Sequence, residues 1–150
     1  MLQDHEKNLI RASVDALREG VEGFRTRRAQ LEMIGAIANA LANAYEPEDT
    51  DRRGRSIAVV EAGTGTGKTV GYLVPAIVLA KSRGKHLVVS SSTIALQAQL
   101  SEKDAPTLQD LMPLGFTYAL AKGRGRYACI AKLADRTAEA NQHEMQFSRR

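Results

Sequence analysis

Residues Ala62 to Thr69 read A-G-T-G-T-G-K-T, a spacing suited to holding a chain of phosphates. Gly63, Gly65 and Gly67 let the backbone take conformations closed to other residues and bring N–H groups close to an anion. Thr64 and Thr66 fill the positions between them. A helix that starts just after the loop points its N-terminus at the same anion. Lys68 then supplies a positive charge to the outer phosphates, and the Thr69 hydroxyl supplies a ligand for Mg²⁺. Ala62 stands where the usual pattern begins with glycine. The competing reading is a glycine-rich turn followed by Lys-Thr.

Other residues carry weaker chemical signals. Upstream, "RRAQLEM" sets Arg27, Gln30 and Met33 three apart, on one helical face. A glutamine donates and accepts, so Gln30 could read the edge of an adenine, or simply belong to a solvated helix face. Downstream, "VVSSSTIALQAQL" puts Ser90, Ser91, Ser92 and Thr93 after a β-branched run, with Gln97 one turn on. Such hydroxyls contact nucleic-acid phosphates or cap a helix. In "AKGRGRYAC", Lys122, Arg124 and Arg126 alternate with glycines, and Tyr127 follows. Cations on a flexible loop can reach phosphates and a tyrosine can stack on a base; a solvated loop is the alternative. Cys129 is the only cysteine. His5, His86 and His143 are isolated and suggest no metal site.

These residues need elements to position them. Asp4 is the expected cap of a first helix, with Leu9, Ile10, Val14 and Leu17 at helical spacing and Gly20 as its stop. A second helix is expected from near Arg27, its apolar stripe made by Leu31, Ile34, Ile37 and Leu41. Residues 45–55, with Pro47 and Gly54, read as an exposed connection. "SIAVVEA" and "HLVVSSS" look like strands buried on both faces, and "FTYALA" like a shorter third. Between them, a helix is expected from about Gly67 to Ser82, kinked or broken at Pro75. "TIALQAQLSE" and "CIAKLADRTAEA" read as further helices, and "GRGRY" as a loop. Alternating strands and helices spell an open α/β parallel sheet.

The bulk numbers agree with an ordinary globular protein: 150 residues, 43% hydrophobic and 25% charged. The net charge of +4 is uneven. Residues 1–50 hold six Lys/Arg against nine Asp/Glu, and residues 51–150 hold fifteen against eight. A basic second part suits a polyanionic partner or nucleotide phosphates, and equally a solubilising surface. No apolar run is long enough for a bilayer and the N-terminus lacks a signal-peptide pattern, so no membrane role and a cytoplasmic location are expected.

Taken in order, "RRAQLEM", "VEAGTGTGKTVGYLVPAI", "VVSSSTIALQAQL" and "ALAKGRGRYAC" resemble the opening motifs of the DinG helicases. Those belong to the XPD-like, iron–sulfur branch of the superfamily-two DNA helicases. The resemblance covers about residues 24–129. It implies a RecA-like P-loop NTPase fold and ATP with Mg²⁺ as cofactors. It further implies 5′-to-3′ unwinding on single-stranded and forked DNA, by a protein expected to be a monomer when intact. Arg27 and Gln30 match the adenine-sensing Q motif, Gly63 to Thr69 match motif I, and Ser90 to Thr93 with Gln97 match motif Ia on the DNA strand. Lys122, Arg124 and Arg126 are expected on DNA. Cys129 matches the first of four ligands to a four-iron four-sulfur cluster, a ligand only if the chain continues. The implied organisation is an N-terminal helix (1–23), the first part of motor domain 1 (24–121) and the start of a cluster insertion (122–150).

The acidic DEAH box of such helicases is missing. Asp104, Asp110, Asp135 and Glu139 lack its context of an apolar strand ending in paired acids. The expectation is therefore the N-terminal portion of a helicase, binding nucleotide at most by itself. A stand-alone nucleotide-binding module, a small P-loop kinase and a non-functional truncated product are the competing classes.

Overall fold

The computed structural model describes residues 1–44 and 56–134. The expected connection at 45–55 lies outside the described residues, as do Asp135, Glu139 and His143. The chain divides into two compact units, Met1–Tyr118 and Ala119–Arg150.

Helices organise the first unit. Helix α1 runs Asp4–Gly20, with Gln3, not Asp4, as its cap. The Gln3 N–H donates to Glu6 Oε2 at 2.8 Å. Asp4 instead opens the first turn, where a carboxylate favours the positive end of the helix dipole. Helix α2 runs Arg28–Asn43 and α3 runs Lys68–Ser82. Apolar side chains of these three helices form the core, among them Val14, Leu17, Ile34, Val74 and Val78, joined by Leu108 and Met112.

The buried face of α2 is rotated from the expected stripe. Gln30, Met33, Ile34, Ala38 and Ala42 are buried, whereas Leu31 is 48% exposed and Leu41 is exposed too. Small alanines face inward because α3 packs closely on α2. The same closeness explains Gly71: a Cβ there would lie 2.8 Å from Met33 Sδ. Pro75 does not break α3, which is continuous and buries the ring. Its missing N–H costs one bond to the Gly71 carbonyl, and core packing offsets that loss.

After Thr93 the helical run is longer than expected and changes pitch. Helix α4, Ile94–Gln99, passes into a π-helical turn, Leu100–Asp104, and then into α5, Ala105–Leu111. The Ala105 N–H reaches back five residues to the Leu100 carbonyl. Pro106 follows and cannot donate to residue 102, so widening the turn here sacrifices little α-helical bonding.

No strand is formed among the described residues. The three β-rich segments run as irregular chain with apolar side chains in solvent: Ile57 is 86% and Val59 92% exposed, and Val88, Tyr118 and Leu120 are exposed as well. Burial on both faces, expected for 56–62 and 86–92, is therefore not seen in these residues. A strand gains its hydrogen bonds only from a neighbouring strand, and these segments have no such partner among the described residues.

In the second unit the loop 122–127 closes on itself. The Lys122 N–H donates to the Tyr127 hydroxyl at 2.8 Å, and the Arg126 N–H to the Gly123 carbonyl at 2.8 Å. Residues 124–126 make a 3₁₀ turn, and 130–134 are helical, as read from the sequence. No helix of the described residues is long and apolar enough to cross a membrane.

Candidate nucleotide site

The loop 62–67 leads directly into α3. Gly65 and Gly67 both take positive φ, 75° and 77°, in the left-handed region that an L side chain rarely enters. Gly67 is the residue before the first turn of α3 and leaves the first N–H groups of that helix unobstructed.

Side chains from α2 and its cap hold this loop from behind. The Arg27 guanidinium donates to the Gly65 carbonyl. Gln30 Nε2 donates to the Gly67 carbonyl at 3.0 Å. The loop also braces itself. Thr66 Oγ1 donates to the Gly63 carbonyl at 2.6 Å, and Lys68 Nζ donates to the carbonyls of Ala62 (2.8 Å) and Gly63 (3.1 Å). Lys68 is exposed, whereas Gln30 is only 2% exposed. Its Oε1 is buried with no hydrogen-bond partner among the described residues. An unpaired buried amide oxygen is costly, so a donor arriving there would be favoured.

Glycine at 67 is required twice over. Its φ disfavours a side chain, and a Cβ would sit 2.3 Å from Gln30 Nε2. Gly67→Ala is expected to weaken nucleotide binding at least tenfold by forcing Gln30 off the loop. Equilibrium binding of a fluorescent ATP analogue to the variant checks it.

Thr69 lies one turn inside α3 and shares a hydrogen bond with the Tyr72 hydroxyl. Burial pushes the Tyr72 phenol above its usual value. Both residues line a cavity of about 490 Å³, together with Ser90, Ser91 and Asp104. The motif reading passed over Tyr72; its position three residues after Thr69 on a helix was the available signal. The Ser91 carbonyl accepts from Gln97 Nε2 at 3.0 Å, so two of the expected DNA-contacting residues bind each other. Thr93 caps α4, accepting the Leu96 N–H at 3.3 Å, and Ser92 is exposed.

The structure thus gathers Arg27, Gln30 and residues 62–68 into one cluster, and Thr69, Ser90 and Ser91 around one cavity. Lys122, Arg124, Arg126 and Cys129 belong to the second unit. Cys129 is an exposed free thiol, and no three His, Cys, Asp or Glu side chains gather as a metal site among the described residues. An iron–sulfur cluster needs four thiolates, and this sequence has one. By themselves these residues do not fit such a cluster. For a nucleoside triphosphate the fit is good: a glycine-rich cradle, a lysine at its mouth and a hydroxyl behind it.

The family profile described as "DEAD/DEAH box helicase" matches residues 30–136. The chain belongs to the DEAD/DEAH box helicase family. Membership brings the P-loop NTPase fold with it, and places the cluster around residues 62–69 in a family named for its helicases. Among relatives, the chain is 37% identical over 145 residues to "ATP-dependent DNA helicase DinG" of Photobacterium profundum, covering 97% of this chain and 20% of that protein. It is 42% identical over 128 residues to the Escherichia coli K12 protein of the same name, covering 85% and 16%. It is 38% identical over 117 residues to "3'-5' exonuclease DinG" of Bacillus subtilis, covering 78% and 11%. The chain spans a fifth or less of the length of these relatives.

Proposed function

We propose that this chain is the N-terminal portion of a DinG-type DNA helicase. In that reading ATP binding and hydrolysis drive 5′-to-3′ unwinding of forked DNA from a single-stranded tail. The observation that carries the proposal is the braced loop: Gln30 and Arg27 on the carbonyls of Gly67 and Gly65, with Lys68 at the mouth. In this reading, the N–H groups of residues 63–69 and the Lys68 ammonium take the phosphates. Lys68 leaves the Ala62 and Gly63 carbonyls to do so. The Thr69 hydroxyl holds Mg²⁺, which screens charge on the outer phosphates. Gln30 Oε1, buried without a partner among the described residues, accepts from the adenine amino group.

Ser90 to Thr93 and Gln97 follow one DNA strand, and Lys122, Arg124 and Arg126 add phosphate contacts from the second unit. The three β-rich segments, 56–62, 86–92 and 116–121, pair in a parallel RecA-like sheet once further strands are present. Their exposed Ile57, Val59 and Val88 support that reading, because isolated apolar side chains in solvent are stabilised by burial. Residues 1–23, 24–121 and 122–150 serve as N-terminal helix, first part of motor domain 1 and start of the cluster insertion. Cys129 then contributes one thiolate, with three more supplied by a longer chain. The intact protein acts as a monomer in the cytoplasm.

The test is ATP turnover and strand separation by the protein at its native length, with and without single-stranded DNA. DNA-stimulated turnover and unwinding from a 5′ tail are expected. Turnover indifferent to DNA would overturn the helicase reading in favour of a kinase or a binding module. The 150-residue chain alone is expected to hydrolyse ATP no faster than its Lys68→Ala variant, since no acidic pair faces the loop among the described residues. A phosphate-release assay on the two proteins side by side checks it.

A further inference from the structure

The P-loop motif ends at Thr69, yet the structure carries the site one turn further. Thr69 and Tyr72 share a hydrogen bond between their hydroxyls, three residues apart on one face of α3. That face opens on the cavity of about 490 Å³. The same cavity is lined by Asp104, which the π-helical turn Leu100–Asp104 presents. Gln99 Nε2 donates to Asp104 Oδ2 at 3.1 Å and so holds that carboxylate. π-Helical turns are rare and concentrate at functional sites.

A threonine hydroxyl is a free rotor on a side chain with more than one rotamer. Magnesium demands near-ideal octahedral geometry, so a wandering hydroxyl is a poor ligand. A ligand fixed beforehand by a second side chain loses less on binding. We infer that Tyr72 is a positioning residue whose hydroxyl orients the Thr69 hydroxyl toward the divalent cation that accompanies the nucleotide, with Asp104 orienting Tyr72 in turn. The inference rests on the proposed nucleotide role of the loop. It adds a residue and an acidic partner that the motif does not contain.

The test separates cation from nucleotide. Affinity for a fluorescent ATP analogue is measured on the native-length protein, once in EDTA and once across a Mg²⁺ titration. Tyr72→Phe keeps the ring and removes only the hydroxyl. It is expected to raise the Mg²⁺ midpoint about fivefold, the worth of one hydrogen bond, while affinity in EDTA stays within about twofold of wild type. Thr69→Ala sets the upper limit of the shift, and Asp104→Asn moves the midpoint the same way by less. An unchanged midpoint in Tyr72→Phe overturns the inference. So does a parallel loss in EDTA, which would make Tyr72 merely structural. Lys68→Ala distinguishes the two levels. If it binds nucleotide as wild type does, the P-loop reading itself fails; if it does not, a normal Tyr72→Phe defeats only the role given to Tyr72.

Discussion

Lys68→Ala is expected to lower nucleotide affinity about 100-fold and to abolish measurable turnover in the native-length protein. The size follows from what the ammonium does in each state. In the structure Lys68 Nζ rests on the Ala62 and Gly63 carbonyls, at 2.8 and 3.1 Å, in an exposed position. Those carbonyls are exposed or half-exposed, so water can replace the ammonium once it is gone. Truncation therefore costs the fold little. Against a triphosphate the same ammonium makes charge-assisted bonds that water does not match. The variant should unfold in urea within about 0.5 kcal/mol of wild type, as surface substitutions do, while binding collapses. Isothermal titration with ATP and a urea titration on the same preparation measure both sides. A variant that lost stability and binding together would mean that Lys68 acts as a loop brace and not as a phosphate ligand. Lys68→Arg is not a rescue, because the guanidinium is planar and bulkier than the compact ammonium.

The loop was legible in the sequence because its demand falls on the backbone. Positive φ at residues 65 and 67 calls for glycine, and glycine is there. Helices α1 to α3 were legible for a similar local reason: 3.6-residue periodicity is written in neighbouring positions. Which face of α2 turns inward was not. Leu31 and Leu41 are more apolar than Ala38 and Ala42, yet the alanines are buried. Hydrophobicity reports the cost of exposure, whereas the face chosen depends on how near α3 must come. The β-rich segments show the opposite gap. Their composition suits strands, but pairing depends on residues far away in the chain or outside it. The π-helical turn was invisible to periodicity because a single proline, Pro106, shifts the bonding pattern locally. The Gln30 contact to the loop spans 37 residues and rests on a motif's order, not on any local pattern.

The longest-range contact gives the second large effect. Arg83, at the C-terminal end of α3, joins all three core helices. Its Nε donates to Glu6 Oε1 at 2.8 Å and its Nη2 to Glu6 Oε2 at 3.1 Å, on α1. Its Nη1 donates to the Ala42 carbonyl at 3.0 Å, on α2. Glu6 is 1% exposed, a position a carboxylate tolerates only when fully bonded. Arg83→Leu leaves that carboxylate buried with the Gln3 N–H as its remaining bond above, and is expected to cost about 3–5 kcal/mol of unfolding free energy. The double change Glu6→Leu with Arg83→Leu should recover most of the loss, since an apolar pair carries no stranded charge. If the double variant is as unstable as Arg83→Leu, the pair matters for the Ala42 carbonyl and not for Glu6. The acid limb gives an independent check. The Arg83 hydrogen bond holds the Glu6 carboxyl below its usual value, aided by the Gln3 N–H and opposed by burial. A lowered native pKa means that the stabilisation is full above the ordinary glutamate value of about 4.3. It is lost as pH falls from there through the lowered native value. Urea midpoints between pH 7 and pH 3 should therefore fall more steeply for wild type than for the double leucine variant. Equal slopes would show that the Glu6 carboxyl titrates alike in the folded and unfolded chain, and that α1 is held to α3 by apolar packing alone.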